Sequence, residues 1–143
     1  MINQSSLVRL KKALIMHEGI SKTLYKDSVG KWTIGVGYNI QDRGLPDEWI
    51  DKQLENDIRS VYEALEMHEW FRSLGNDRQL AIINMGFNMG VKKLLQFKKM
   101  IAALEQKNYA EAATQALDSL WAKQVGNRAK EIAEIIRIGE ANW

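Results

Sequence analysis

Two carboxylates and one hydroxyl stand close together near the start of the chain. Glu18, Asp27 and Thr33 fall within sixteen residues of one another. Hydrolysis of a glycosidic bond uses two acids: one protonates the leaving oxygen, and the other acts on the anomeric carbon or on the water that attacks it. The three residues are therefore candidates for a glycosidase site, provided that the fold places the two carboxylates on opposite sides of one bond.

The segment before Glu18 predicts a helix. Its apolar positions recur at helical spacing, at Leu7, Leu10, Leu14 and Ile15. Ser5–Ser6 is predicted to cap its start and Gly19 to end it, so that Glu18 lies in or beside the last turn. The negative end of the helix dipole disfavours a further negative charge there. A carboxyl that stays protonated can donate its proton as a general acid.

A β-hairpin is predicted to follow the helix. Two short runs rich in strand-forming residues, Thr23–Asp27 and Trp32–Tyr38, are joined by a polar turn at residues 28–31. Gly35 and Gly37 within the second run indicate a bulge or a close approach of another group to the backbone. The hairpin would thus fold a second carboxylate back toward the end of the first helix.

Each of the three residues also has an ordinary structural interpretation. Glu18 could be a solvated residue at a helix end, Asp27 could cap a turn, and Thr33 could simply suit a strand. The spacing of the three together favours the functional interpretation.

The rest of the chain is predicted to be helical apart from a polar loop at Asn39–Leu45. Pro46 suits the first turn of a helix running to about Glu66, and about 20 residues would span about 30 Å. Further helices are predicted at Asp77–Asn88, Lys93–Gln106, Ala110–Leu120 and Asn127–Arg137. The predicted fold class is α+β in one domain, 1–143. A small lobe, about 18–60, holds the hairpin, and a helical lobe, about 1–17 plus 61–143, holds the core. The long helix joins them, and the carboxylates lie at the mouth of a cleft.

Composition narrows the classes of function. The net charge is only +2, with nine Lys/Arg against eleven Asp/Glu in residues 1–70 and eleven against seven in residues 71–143. This balance disfavours a nucleic-acid binder, although a mildly basic second half suits an anionic polymer.

The His-Glu pairs at 17–18 and 68–69 lack the second histidine of a zinc motif, so no metal or cofactor is expected. No apolar run is long enough for membrane insertion, and no signal peptide is expected.

Four segments in order carry a resemblance to a known family. They are Tyr25-Lys26-Asp27, Trp32-Thr33-Ile34-Gly35-Val36-Gly37, Ile83-Asn84-Met85-Gly86-Phe87-Asn88-Met89-Gly90, and Trp121 with Asn127-Arg128-Ala129-Lys130. Together with the Glu-x8-Asp-x5-Thr spacing, they resemble the phage-type lysozymes. The resemblance implies a lysozyme-like α+β fold with a small hairpin lobe, a larger helical lobe and a long connecting helix.

The resemblance also implies a function. It implies an endolysin that hydrolyses the β-1,4 bond between N-acetylmuramic acid and N-acetylglucosamine in peptidoglycan, with inversion, and so lyses the host cell. Glu18 would be the general acid, and Asp27 and Thr33 would activate or place the water. The protein is expected to be a monomer without cofactor. Because no signal peptide is expected, it would accumulate in the host cytoplasm and depend on a membrane lesion, such as a holin pore, to reach the wall.

Further site residues follow only from the resemblance. Arg128 matches the arginine that pairs with and orients the catalytic glutamate. The positions matching substrate contacts are Phe87, Asn88, Asn39, Met100 and Gln115. Two alternatives stay open: a lytic transglycosylase, which forms an anhydro product without water, and a non-catalytic peptidoglycan-binding module. The pair formed by Asp27 and Thr33 argues against the transglycosylase, which has no use for a positioned water.

Overall fold

The computed structural model describes residues 1–143 and confirms the predicted α+β class. Ten helices accompany one antiparallel sheet of two strands. The chain divides into an N-terminal unit, Met1–Asp51, and a C-terminal unit, Lys52–Trp143. The first helix, α1, belongs to the same unit as the hairpin.

The N-terminal unit begins with α1 (Gln4–Glu18) and the hairpin strands β1 (Ser21–Lys26) and β2 (Trp32–Gly35), followed by α2 (Ile40–Arg43). Helix α3 (Asp47–Glu66) starts directly after Pro46 and contains the boundary between the units. The C-terminal unit continues with α4 (Glu69–Arg72), α5 (Asn76–Met89), α6 (Val91–Leu94), α7 (Lys98–Glu105), α8 (Tyr109–Leu117), α9 (Leu120–Val125) and α10 (Asn127–Ile138).

The cap of helix α1 lies two residues earlier than the predicted one. The side chain of Asn3 accepts a hydrogen bond from the backbone N–H of Ser6 at 2.8 Å, so Asn3 and not Ser5–Ser6 is the cap. Gly19, at φ +77°, ends the helix as predicted, and its N–H donates to the Ile15 carbonyl at 2.8 Å. Glu18 is therefore the last residue of the helix.

The hairpin has the predicted position but a shorter second strand. Tyr25 pairs with Thr33, and the register shifts between Ser21 and Tyr25, which is an irregularity of the bulge type. Strand β2 ends at Gly35, not at Tyr38, because Gly35 and Gly37 take positive φ values of +67° and +63° and turn the chain. Ile34 and Tyr38 then exchange two backbone hydrogen bonds across this turn, at 2.9 and 3.0 Å.

The segment predicted as a polar loop at Asn39–Leu45 contains the short helix α2, so that prediction was wrong. Asn39 caps α2: its Oδ1 accepts from the Asp42 N–H at 3.1 Å, and its amide donates to the Asp42 carboxylate at 2.9 Å. Lys31 pairs with the same carboxylate at 3.2 Å. The hydrogen bond from Asn39 and the bond and charge of Lys31 lower the pKa of Asp42.

The core lies in the C-terminal unit. Its largest fully buried side chains are Phe71, Leu65, Ile82, Met85, Leu94, Met100, Ile132 and Ile136. Packing among α5, α7, α8 and α10 forms this core. A membrane span needs a long helix of mainly apolar residues, and no helix of this fold meets that requirement.

The helix predicted over Lys93–Gln106 is broken into α6 and α7. The N–H of Phe97 donates to the Leu94 carbonyl at 3.0 Å, a tight-turn pattern that interrupts the α-helix. On a straight helix, Leu94 and Met100 would point about 120° apart, because successive residues turn by about 100°. The break lets both side chains reach the core.

Ile82→Ala should lower the free energy of unfolding by about 3 kcal/mol, because Ile82 is fully buried and the cavity cannot refill completely. Ile138, which is 49% exposed on α10, is the matched control, and its alanine variant should cost less than about 1 kcal/mol. Urea unfolding followed by tryptophan fluorescence measures both. Equal losses would contradict this assignment of the core.

Candidate active site

Glu18 lies where α1 ends, and its carboxylate lies against the backbone of Gly37. A Cβ added at Gly37 would come within 2.8 Å of Glu18 Oε2 and 3.3 Å of Glu18 Cδ. Only glycine therefore permits this contact, and its positive φ of +63° is a second reason for glycine at the position. The side chain of Glu18 is exposed to solvent, as a proton donor to a bound substrate must be.

Asp27 combines a structural role with an available oxygen. Its Oδ1 accepts hydrogen bonds from the backbone N–H groups of Val29 and Lys31, both at 2.9 Å. Its own backbone N–H donates to the Lys31 carbonyl at 2.9 Å, and its carbonyl accepts from Gly30 at 3.0 Å. Asp27 is thus a turn-capping aspartate, as one interpretation of the sequence had it. Because both side-chain bonds end on Oδ1, Oδ2 is left for another partner.

Thr33 is the buried polar residue of the fold, at 2% exposure. Its hydroxyl donates to the Lys31 carbonyl at 2.9 Å. A hydroxyl has one proton and two lone pairs, so this bond uses the proton and leaves Oγ1 able to accept. Lys31 therefore serves both residues, through its N–H to Asp27 and its carbonyl to Thr33.

Glu18, Asp27 and Thr33 all belong to the N-terminal unit, on the end of α1 and on the hairpin. Asn39, which was predicted to bind substrate, lies in the same unit, where its side chain caps α2. No group of three or more His, Cys, Asp or Glu side chains could hold a metal ion.

The other predicted site residues belong to the C-terminal unit. Phe87 and Arg128 line a largely apolar cavity of about 340 Å³. The Arg128 guanidinium donates to the Asn84 side-chain oxygen at 2.8 and 3.0 Å and to the Asn84 carbonyl at 3.3 Å. Asn84 lies in one of the segments that carry the resemblance, but no role was predicted for it. The pairing predicted between Arg128 and Glu18 stays a prediction.

Three further predicted substrate contacts border two adjoining cavities of the C-terminal unit, which share Gln96 and Phe97 in their linings. Asn88 Oδ1 accepts from the Trp121 indole N–H at 2.7 Å, beside a cavity of about 650 Å³. Met100 and Gln115 border another cavity, of about 380 Å³. Met100 is only 1% exposed and packs in the core, whereas the Gln115 amide donates to the Glu111 carboxylate at 2.7 Å.

Known proteins resemble this chain over almost its whole length. The sequence model of the family described as Phage lysozyme matches residues 16–136. Probable T4-type lysozymes 1 and 2 of Dictyostelium discoideum are 28% and 27% identical. Their alignments cover 93% and 91% of this chain and 96% and 94% of the relatives. The Pre-baseplate central spike protein Gp5 of Enterobacteria phage T4 is 26% identical over 85% of this chain, which corresponds to 26% of the spike protein.

Gly37→Ala should cost more stability than Gly35→Ala, although the two glycines have similar φ values. Each variant carries the left-handed backbone cost of about 1 kcal/mol. At Gly35 a Cβ meets nothing within 4 Å, whereas at Gly37 it meets the Glu18 carboxylate. We expect the Gly37 variant to lose less than about 1 kcal/mol more, because the exposed Glu18 side chain can swing away from the new Cβ, and urea unfolding measures the difference.

The Glu18→Ala background supplies the control, since it removes the group that the new Cβ would meet. In that background the two glycine variants should cost the same. A difference that persists without the Glu18 carboxylate would contradict the contact between Glu18 and Gly37.

Proposed function

The chain belongs to the phage lysozyme family and is a glycoside hydrolase of the lysozyme type, and from that premise we propose that it cleaves peptidoglycan at the β-1,4 bond from N-acetylmuramic acid to N-acetylglucosamine. The observation that carries the proposal is the placement of Glu18, Asp27 and Thr33 in a single compact unit. A solvent-facing carboxyl and a turn-fixed carboxylate are the two groups that hydrolysis of such a bond uses, and a hydroxyl with a free lone pair can help to hold the water.

Glu18 is the proposed general acid. It protonates the glycosidic oxygen as the bond to the anomeric carbon of N-acetylmuramic acid breaks, so that N-acetylglucosamine leaves as a neutral alcohol. The backbone of Gly37 lies against the Glu18 carboxyl and restricts where that side chain can sit. Restricting the donor in this way reduces the entropy lost when the transition state forms.

Asp27 and Thr33 are proposed to hold the attacking water. Asp27 Oδ2 accepts one proton of the water as its oxygen bonds to the anomeric carbon, and Thr33 Oγ1 accepts a hydrogen bond from the other proton. The bond from Thr33 to the Lys31 carbonyl uses the hydroxyl proton, so Oγ1 can serve the water only as an acceptor. The bonds from Val29 and Lys31 keep the Asp27 carboxylate from rotating during the reaction.

A water between the carboxylate and the sugar implies inversion at the anomeric carbon. Inverting glycosidases place their two carboxyl groups about 6.5–9.5 Å apart, whereas about 5 Å brings a carboxylate into direct attack. The product expected here is N-acetylmuramic acid with a new reducing end of the α configuration.

The biological role that we propose follows from the family. The protein acts as an endolysin that digests the wall and lyses the host cell. We propose that it works as a monomer, that it accumulates in the host cytoplasm, and that a holin pore releases it to the wall. The mildly basic charge of residues 71–143 supports its attraction to an anionic wall.

Glu18→Gln should lower the rate of peptidoglycan hydrolysis at least about 10³-fold, because the amide cannot donate the required proton. Clearing of a peptidoglycan suspension measures the rate, and circular dichroism checks that the fold is intact. Glu48→Gln, an exposed glutamate of the same unit on α3, is the matched control and should keep full activity. A Glu18→Gln variant with most of its activity would rule out the general-acid role.

Asp27→Asn separates the two roles of Asp27. The amide oxygen of asparagine can still accept from Val29 and Lys31, so the turn and the unfolding midpoint should be preserved. The rate should fall about 10²-fold or more, because an amide cannot take a proton from water. Asp27→Ala, which removes the turn bonds as well, should also lower stability. Wild-type kinetics for Asp27→Asn would leave Asp27 with only its structural role.

A further inference from the structure

A fourth cavity of the C-terminal unit is lined by none of the residues discussed so far as site residues. It measures about 510 Å³, within the usual range for small-molecule sites. Its lining combines aromatic rings with charged groups at His68, Glu69, Trp70, Glu105, Lys107 and Tyr109. We propose that this Trp70 cavity binds a neutral N-acetylhexosamine unit of a glycan chain, as a second contact with the polymer that the enzyme cleaves. The proposal rests on the proposed function, because it takes the polymer from there.

Trp70 offers a rigid and partly exposed platform. The residue is half-buried, and its ring meets Phe71 edge-on at 6.1 Å and His68 at the same distance with a 34° tilt. The Phe71 ring is itself fully buried. An aromatic face held in this way suits the apolar C–H face of a pyranose, because binding then requires little further ordering of the side chain.

Tyr109, the first residue of α8, is also held in place by a neighbouring side chain. The Arg78 guanidinium lies 3.4 Å above the centre of the Tyr109 ring. Arg78 is in turn fixed by hydrogen bonds to the carbonyls of Ile136 and Arg137, at 2.7 and 3.1 Å. Both aromatic residues of the cavity are therefore positioned by packing before any ligand arrives.

The charged groups around the platform favour a neutral ligand. Glu69 and Glu105 supply carboxylate acceptors for sugar hydroxyls, and Lys107 supplies an ammonium donor for the acetamide carbonyl. Two carboxylates against one ammonium would repel the carboxylate of N-acetylmuramic acid. Among the two wall sugars, this arrangement selects N-acetylglucosamine.

A second, independent observation concerns the backbone conformation of Lys107. It is the one residue other than glycine with positive φ, at +57°. Its N–H donates to the Leu104 carbonyl at 3.0 Å and that of Asn108 to the Ala103 carbonyl at 2.8 Å, the pattern of a helix end at which glycine is usual. A lysine there costs stability that glycine would recover, so its side chain is expected to serve another purpose.

The site can be tested directly with tetra-N-acetylchitotetraose as the probe. In the Glu18→Gln background, which prevents cleavage, the Trp70 indole N–H resonance is followed by NMR and assigned by its loss in Trp70→Leu. Saturable movement of this resonance is expected. A resonance that does not move at millimolar probe would overturn the proposal.

Lys107→Gly distinguishes binding from structure. Glycine tolerates the positive φ of residue 107 better than lysine does, so the melting temperature should rise by about 4 °C. The probe should bind about fivefold more weakly, because one charge-assisted hydrogen bond is lost. Lys92→Gln, an exposed lysine on α6, removes the same charge elsewhere and should leave the Trp70 titration unchanged. Higher stability with unchanged affinity would mean that Lys107 takes no part in binding and would contradict its assignment.

Failure of this proposal and failure of the proposed function give different results. If the wild-type protein cleaves peptidoglycan but the Trp70 resonance does not move, the proposed sugar binding in the Trp70 cavity is wrong and the catalytic proposal stands. If the protein cleaves no peptidoglycan but the Trp70 resonance shifts saturably with the probe, sugar binding in the Trp70 cavity is supported and the catalytic proposal is wrong.

Discussion

The missing side chain at Gly37 is the constraint on which the candidate site depends. It allows the carboxylate of Glu18 to lie where any Cβ would come within 2.8 Å. Two elements with different preferences, a helix that ends at Gly19 and a ribbon that turns at Gly37, meet at this contact. The acid at the helix end and the polar groups on the hairpin then belong to one local structure, although they come from separate elements.

The hairpin turn shows how one residue can serve structure and chemistry together. Lys31 gives its N–H to Asp27 and its carbonyl to Thr33, so a single peptide segment sets the direction of both side chains. This arrangement uses one oxygen of Asp27 and the only proton of the Thr33 hydroxyl. What is left over, a carboxylate oxygen and a hydroxyl acceptor, is what a water nucleophile needs. The two interpretations of Asp27 are therefore compatible.

Patterns in the sequence predicted what depends on short-range chemistry. The helix end at Gly19, the hairpin and the close approach at Gly37 were all foreseen, because glycine and strand-forming residues act locally. Helix α2 was not predicted, because the one residue that caps it, Asn39, is equally consistent with a loop. The break before α7 was missed because it depends on tertiary burial of Met100, which local spacing does not reveal. For the same reason, the sequence could not tell that Met100 lies in the core.

The central claim is that water, placed by Asp27 and Thr33, attacks the anomeric carbon while Glu18 protonates the leaving sugar. Mass spectrometry of peptidoglycan fragments released in heavy-oxygen water tests it most directly. The account predicts reducing N-acetylmuramic acid ends that each carry one solvent oxygen. Anhydromuramic ends without solvent oxygen would contradict it, because they form when the sugar's own hydroxyl replaces water as the nucleophile. Asp27 would then have only its structural role in the turn.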